Sequence, residues 1–163
     1  QHACEFVPHV LILCAPDRLE VVNNDPVLHN VHAYDLHAEN LGLFNLAQPI
    51  KGQKSTVAPS QFRNASLIMT GCDAGHPWMN GYIIRAEHPY YALTGADGSF
   101  RLDNVPPGSY RLVMWHEGVA VTRTDREKGV PTRYTYEAPY RETAQVTVSP
   151  KSRTQADFEL KLR

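Results

Sequence analysis

The sequence has almost no net charge, only three cysteines and no long apolar run. Sixteen basic residues face seventeen acidic ones, for a formal net charge of -1. Without an excess of either sign there is no global field to select nucleic acid or an anionic membrane surface. No apolar run approaches the roughly 18 residues of a membrane span. Catalytic patterns are also missing. There is no Ser-His-Asp arrangement, no phosphate-cradling glycine loop and no pair of catalytic carboxylates, so the chain is not expected to be an enzyme. Gln1 rather than Met opens the sequence. An exported protein that has lost a signal peptide would start this way, a trimmed start being the alternative. A periplasmic or extracellular location is therefore expected.

What is present is enough for a core. The 163 residues are 42% apolar, which suits one compact domain or two small ones and argues against disorder. Twelve prolines and ten glycines break the chain into short segments rich in Val, Ile, Tyr and Phe. Such segments read as strands rather than helices. Strands are expected at 9–14, 18–23, 29–34, 66–70, 82–86, 91–94, 99–102, 108–116, 144–148 and 156–161. Strands at this spacing fit an all-β sandwich or barrel. Asp97-Gly98 marks a hairpin turn, and Pro106-Pro107-Gly108 a type II turn. Residues 38–64 read as a long mixed segment, and long loops are often functional or capped by short helices. Residues 119–143 form a second insertion with Tyr134, Tyr136 and Tyr140 among Arg123, Arg126, Arg133 and Arg141. Those residue types favour interfaces, although an ordinary solvated loop looks the same.

The densest chemistry lies in Gly71-Cys72-Asp73-Ala74-Gly75-His76-Pro77-Trp78-Met79-Asn80-Gly81. Cys72, His76 and Met79 sit in one loop between two apolar strands, so their side chains can aim at one point. A thiolate and an imidazole suit zinc or copper. The soft thioether of Met79 favours copper. A further imidazole must come from elsewhere, and Asp25-Pro26-Val27-Leu28-His29-Asn30-Val31-His32 supplies it. In a strand, His29, Val31 and Ala33 share one face and Asn30, His32 and Tyr34 the other. The first set is the more apolar, so His29 is favoured over His32, with His37 more distant. If Cys72 serves a metal, Cys4 and Cys14 remain for a disulfide; a buried thiol at Cys14 is the alternative.

These residues resemble the cupredoxin family of blue-copper proteins. The resemblance rests on His29-Asn30, the Cys72…His76…Met79 loop, Met79-Asn80-Gly81-Tyr82-Ile83, and the early run from Pro8-His9-Val10 to Asn23-Asn24-Asp25. It implies a Greek-key β-sandwich over residues 1–86 holding one copper ion through His29, Cys72, His76 and Met79. The loop is compact for the family, with three residues between Cys72 and His76 and two between His76 and Met79. The remainder, 87–163, resembles a smaller carboxypeptidase-regulatory-like, or transthyretin-like, β-sandwich. The residues that carry this are Ala92-Leu93-Thr94-Gly95-Ala96-Asp97-Gly98-Ser99-Phe100, Asn104-Val105-Pro106-Pro107-Gly108 and Ala156-Asp157-Phe158-Glu159-Leu160.

The combination implies an exported electron-transfer protein whose partner is a redox protein such as a c-type cytochrome, within a larger complex. The alternative is a non-redox accessory subunit docked on such an assembly. His32, His37, His88 and His116 have no assigned role. The triplet Trp115-His116-Glu117 either reaches the copper end or closes a strand.

Overall fold

The computed structural model describes residues 1–38 and 41–161. Residues 39 and 40 of the long segment, and 162 and 163 at the end of the expected second module, lie outside it. The protein is all-β, as expected. Its strands are β1 (Val10–Cys14), β2 (Leu19–Val22), β3 (His29–Asp35), β4 (Leu41–Gln48), β5 (Lys54–Val57), β6 (Leu67–Gly71), β7 (Asn80–Ala86), β8 (Gly108–His116), β9 (Val121–Glu127), β10 (Val130–Tyr136) and β11 (Tyr140–Val148). A 3-10 turn covers Pro59–Phe62. Among the described residues no helix is long and apolar enough to cross a membrane.

The chain divides into two compact units: Gln1–Pro89 with Thr124–Tyr134, and Tyr90–Arg123 with Thr135–Arg163. The cut expected after residue 86 lies just before Pro89; the assignment of Thr124–Tyr134 to the first unit was not expected.

In the first unit a five-stranded sheet runs in the order β1-β7-β6-β3-β4, and β2 pairs with β5 in a second, smaller sheet. All pairings are antiparallel except β1 with β7, which is parallel. The two sheets bury a common core, the layered solution that lets each hide its apolar face. Val21 of β2 and Val57 of β5 pack with Leu13, Val31, Ala33, Phe44, Phe62, Ala65, Ile68 and Ile83. Phe44 and Phe62 meet edge to face, with ring centroids 5.6 Å apart.

Two strands arise where no periodicity was apparent. β4 carries a register shift against β3 between Ala33 and Tyr34, which breaks the alternation that would have marked it. β5 is short and mostly polar, and only Val57 is buried. The second insertion, residues 119–143, is not a loop: β9 and β10 form a hairpin. Its turn is Lys128-Gly129, at φ 49° and 85°, the pair of positive values that a tight two-residue hairpin turn needs.

The second unit contains the antiparallel pair β8–β11, from Gly108↔Val148 to His116↔Tyr140. The Glu137 carboxylate accepts the amides of Val119 and Ala120 and the Tyr140 hydroxyl, at 3.1, 3.2 and 2.8 Å. Gly118 sits so close to this segment that a Cβ there would collide with the Glu137 carbonyl. The strands expected at 91–94, 99–102 and 156–161 are not formed. The Asp97-Gly98 turn is present, with the Gly95 amide on the Ser99 carbonyl at 2.9 Å. Its flanks form no ladder, and Leu93, Phe100 and Leu160 are exposed. Apolar alternation makes a strand only where a facing layer covers it.

β6 and β7 position the ligand loop. Their register ends at Gly71↔Asn80, leaving residues 72–79 to close the connection. Next to it, Gly81 packs where a Cβ would lie 3.0 Å from the His9 carbonyl and 3.1 Å from Thr70 Oγ1. Gly81→Ala is expected to destabilise the protein by about 1–3 kcal/mol through overpacking. Ile68→Ala, which empties a fully buried site, is expected to cost about 2–5 kcal/mol. Denaturant unfolding of the two variants against the parent protein measures both.

Candidate metal centre

β3 and the β6–β7 loop bring together the histidines and the cysteine singled out in the sequence. Strand alternation turns His29, Val31 and Ala33 inward, and all three are buried. His29 is fully buried, Cys72 is 4% exposed and Met79 2%. His29 Nδ1 lies 3.8 Å from Cys72 Sγ, and His76 Nδ1 lies 3.6 Å from it. One ligand atom from each of His29, Cys72 and His76 falls within 4.8 Å of the others. The two imidazole rings are 4.7 Å apart, tilted by 57°. A buried thiol flanked by two imidazole nitrogens is a donor set suited to a soft or borderline transition metal.

The loop holds its shape through its own backbone. The Met79 amide donates to the His76 carbonyl at 2.9 Å, and the Cys72 amide to the Met79 carbonyl at 3.3 Å. Gly75 turns the chain at φ 86°. These bonds place Met79 at the closing end of the loop, beside Cys72. Trp78, half exposed at 51%, meets the His76 ring edge-on at 5.4 Å.

β3 is tied to the loop by the residue after the buried histidine. Asn30 Oδ1 accepts the Asp73 amide at 2.7 Å, and Asn30 Nδ2 donates to Asn45 Oδ1 of β4 at 2.8 Å. Asn30 therefore fixes the residue next to Cys72 to the centre of the sheet. His32 faces the other way, as alternation requires. Its Nδ1 lies 2.6 Å from both Asp73 Oδ2 and the Tyr34 hydroxyl. The Arg133 guanidinium stacks over the Tyr34 ring at 4.8 Å. Burial, then the Asp73 charge, raises the Tyr34 hydroxyl above its ordinary pKa. His37 is on the surface beside Ser66. His116 contacts the Glu117 carbonyl and the Tyr140 ring within the second unit. No disulfide joins Cys4 to Cys14. Cys14 ends β1, whereas the Cys4 amide binds Asp25.

Asp25 is the residue that sequence reasoning missed. Its Oδ2 lies 2.9 Å from His29 Nε2, on the side of the ring away from Cys72. The only signal was an acidic residue four positions before the histidine, separated from it by a proline that keeps the segment out of a helix. The Cys4 amide, and after it the Ala3 amide and the His29 ring, outweigh the opposing effect of burial and hold its carboxyl down to about 2. His76 is also shifted: partial burial, then the neighbouring His29, lowers it below the ordinary imidazole value. That keeps its lone pair available near neutral pH. Because Asp25 is depressed, its contribution to stability is complete above the ordinary carboxylate value of 3.8 and is lost as pH falls through about 2. In metal-free protein, the difference in Tm between the parent and Asp25→Ala is expected to be constant above pH 5 and to shrink between pH 4 and 2.

The family model described as polysaccharide lyase family 4, domain II, matches residues 64–156. The match begins in the first unit, includes the ligand loop and continues through β11, so it crosses the boundary expected after residue 86. It is not the carboxypeptidase-regulatory-like family expected for the second module. Among solved structures, the chain is similar to a novel purple cupredoxin from Nitrosopumilus maritimus. The identity is 22%, over 53% of this chain and 86% of that one, with a TM-score of 0.43. The sandwich assignment rests on the strand order described above. No curated protein matches the chain. With more than half of its 163 residues inside the matching model, the chain belongs to the family described as polysaccharide lyase family 4, domain II.

Proposed function

We propose that the protein binds one copper ion, which His29 Nδ1, Cys72 Sγ and His76 Nδ1 would hold with Met79 as a further weak donor, and that it is an exported electron carrier. The observation that carries this is the buried cluster of two imidazole nitrogens around one thiol, with donor atoms within 4.8 Å of one another. Cys and His alone also suit zinc; a buried Met at the end of the same loop is what favours copper. Bound copper supplies a one-electron couple. The residues of the chain do the rest. The sheet fixes His29, the loop fixes Cys72 and His76, and Asn30 locks the two elements together. A site already held in this geometry needs little rearrangement between oxidation states. The half-buried His76 beside exposed Trp78 gives electrons a short route to the surface, while burial of Cys72 and Met79 keeps water away from the sulfur ligands.

In this reading residues 1–86 supply the centre and 87–163 form a non-catalytic β-module, transthyretin-like in type. The protein is not itself an enzyme. Its partner is a redox protein, such as a c-type cytochrome, in a periplasmic or extracellular assembly. A second reading, a non-redox accessory subunit, draws on the family match, whose description names one numbered domain of a lyase family.

Copper titration followed by visible absorption tests the first reading. One equivalent is expected to produce an intense thiolate-to-copper band. Cys72→Ser should abolish it and lower affinity by more than the about 100-fold that an outer contact is worth. Met79→Leu should keep the band and raise the reduction potential, because a weak donor to the oxidised metal is lost. Protein that takes up no copper under either reducing or oxidising conditions would leave the accessory reading standing.

A further inference from the structure

On the far side of His29, residues 2–5 lie across the centre as a short strap. Two backbone bonds between His2 and Glu5, at 3.0 and 3.1 Å, close it. Ala3 and Cys4 are consecutive residues at positive φ, 53° and 55°. That conformation turns successive backbone N–H groups toward one anion, and the anion here is the Asp25 carboxylate. The Ala3 amide donates to Asp25 Oδ1 at 2.8 Å and the Cys4 amide to Oδ2 at 2.9 Å. The strap is also fastened to the ligand loop, because Trp78 Nε1 donates to the Cys4 carbonyl at 3.2 Å. Asp25 is fixed from below as well. Its amide donates to Asn23 Oδ1 at 2.9 Å, and fully buried Asn23 in turn donates to the Val27 and Gln48 carbonyls.

Cys4, Asp25 and His29 also offer ligand atoms within 4.8 Å of one another, so a second cation is the competing explanation. The hydrogen bonds argue against it. Asp25 already takes three N–H donors on two oxygens, and His29 Nε2 is one of them. A metal there would have to displace bonds that are made.

We propose that Asp25 is a positioning residue of the metal centre, and that the Ala3–Cys4 strap, by gripping Asp25, is part of that centre. This rests on the copper reading given above. Asp25 keeps the proton on His29 Nε2, which leaves the Nδ1 lone pair facing Cys72. Its negative charge makes the imidazole a stronger donor and favours the oxidised metal over the reduced one.

The test uses the full chain loaded with copper. Wild-type protein must first show the thiolate-to-copper band; its absence defeats the copper reading itself. With the band present, Asp25→Ala is expected to retain it and to weaken copper(II) binding about 10–100-fold, with a smaller effect on copper(I). The potential then rises, by about 59 mV for each tenfold change in the ratio of the two affinities. Asp25→Asn, which keeps an oxygen for His29 but loses the charge, is expected to fall between. Unchanged affinities and potential in Asp25→Ala overturn the proposal. So does a second equivalent of bound copper that Cys4→Ser removes. If Asp25→Ala fails to fold, nitrogen-15 NMR of copper(I)-loaded wild-type protein decides. The expected result is a slowly exchanging proton on His29 Nε2; a metal-bound Nε2 overturns it.

Discussion

A fully buried imidazole must satisfy two ring nitrogens, and the first unit is organised around doing so for His29. Leaving either nitrogen without a partner in the core would cost about 1–3 kcal/mol. Nε2 meets Asp25 and Nδ1 faces Cys72. Each partner makes its own demands. Asp25 needs donors, which come from the turned backbone of Ala3 and Cys4. Cys72 needs a fixed loop, which comes from Met79, His76 and the Asn30–Asp73 bond. The centre is therefore less a set of ligands hung on a sheet than the solution to one buried polar group.

Much of this was legible in the residues. The Cys72, His76 and Met79 spacing marked the loop, and strand alternation separated His29 from His32. The two histidines do occupy opposite faces of β3, His29 toward Cys72 and His32 toward Asp73 and Tyr34. What was not legible depended on partners distant in sequence. Asp25 looks like a turn residue until the strap arrives from the other side. β4 and β5 lack a clear period because a register shift interrupts one and polar residues dominate the other. Conversely, segments 91–94, 99–102 and 156–161 alternate convincingly yet form no ladder. Periodicity reports what a face could bury, not whether another layer is there to cover it.

The family match and the site geometry bear on different questions. The match spans residues 64–156 and groups the ligand loop with the strands that follow. Cys72, His76 and Met79 lie inside that span, whereas His29 and Asp25 lie outside it. The segment that supplies the sulfur and one imidazole is thus shared with the family pattern, and the segment that supplies the other imidazole and its carboxylate is not. Metal binding needs both, so the family assignment and the copper proposal remain separate conclusions.

The parallel pairing of β1 with β7 has a kinetic meaning. It joins Val10 to Tyr82, so the first strand cannot dock until the last strand of the large sheet exists. His29 and Cys72, 43 residues apart, likewise meet only after long-range closure. Contacts of such sequence separation are slow to form, because loop entropy must be overcome before they contribute. The unfolded chain keeps Cys72, His76 and Met79 close in sequence but not His29 beside them. On the copper reading proposed above, a metal that binds the finished site more tightly than the unfolded chain draws the folding equilibrium toward the native state by mass action, so the same ion that fills the centre also rewards its assembly.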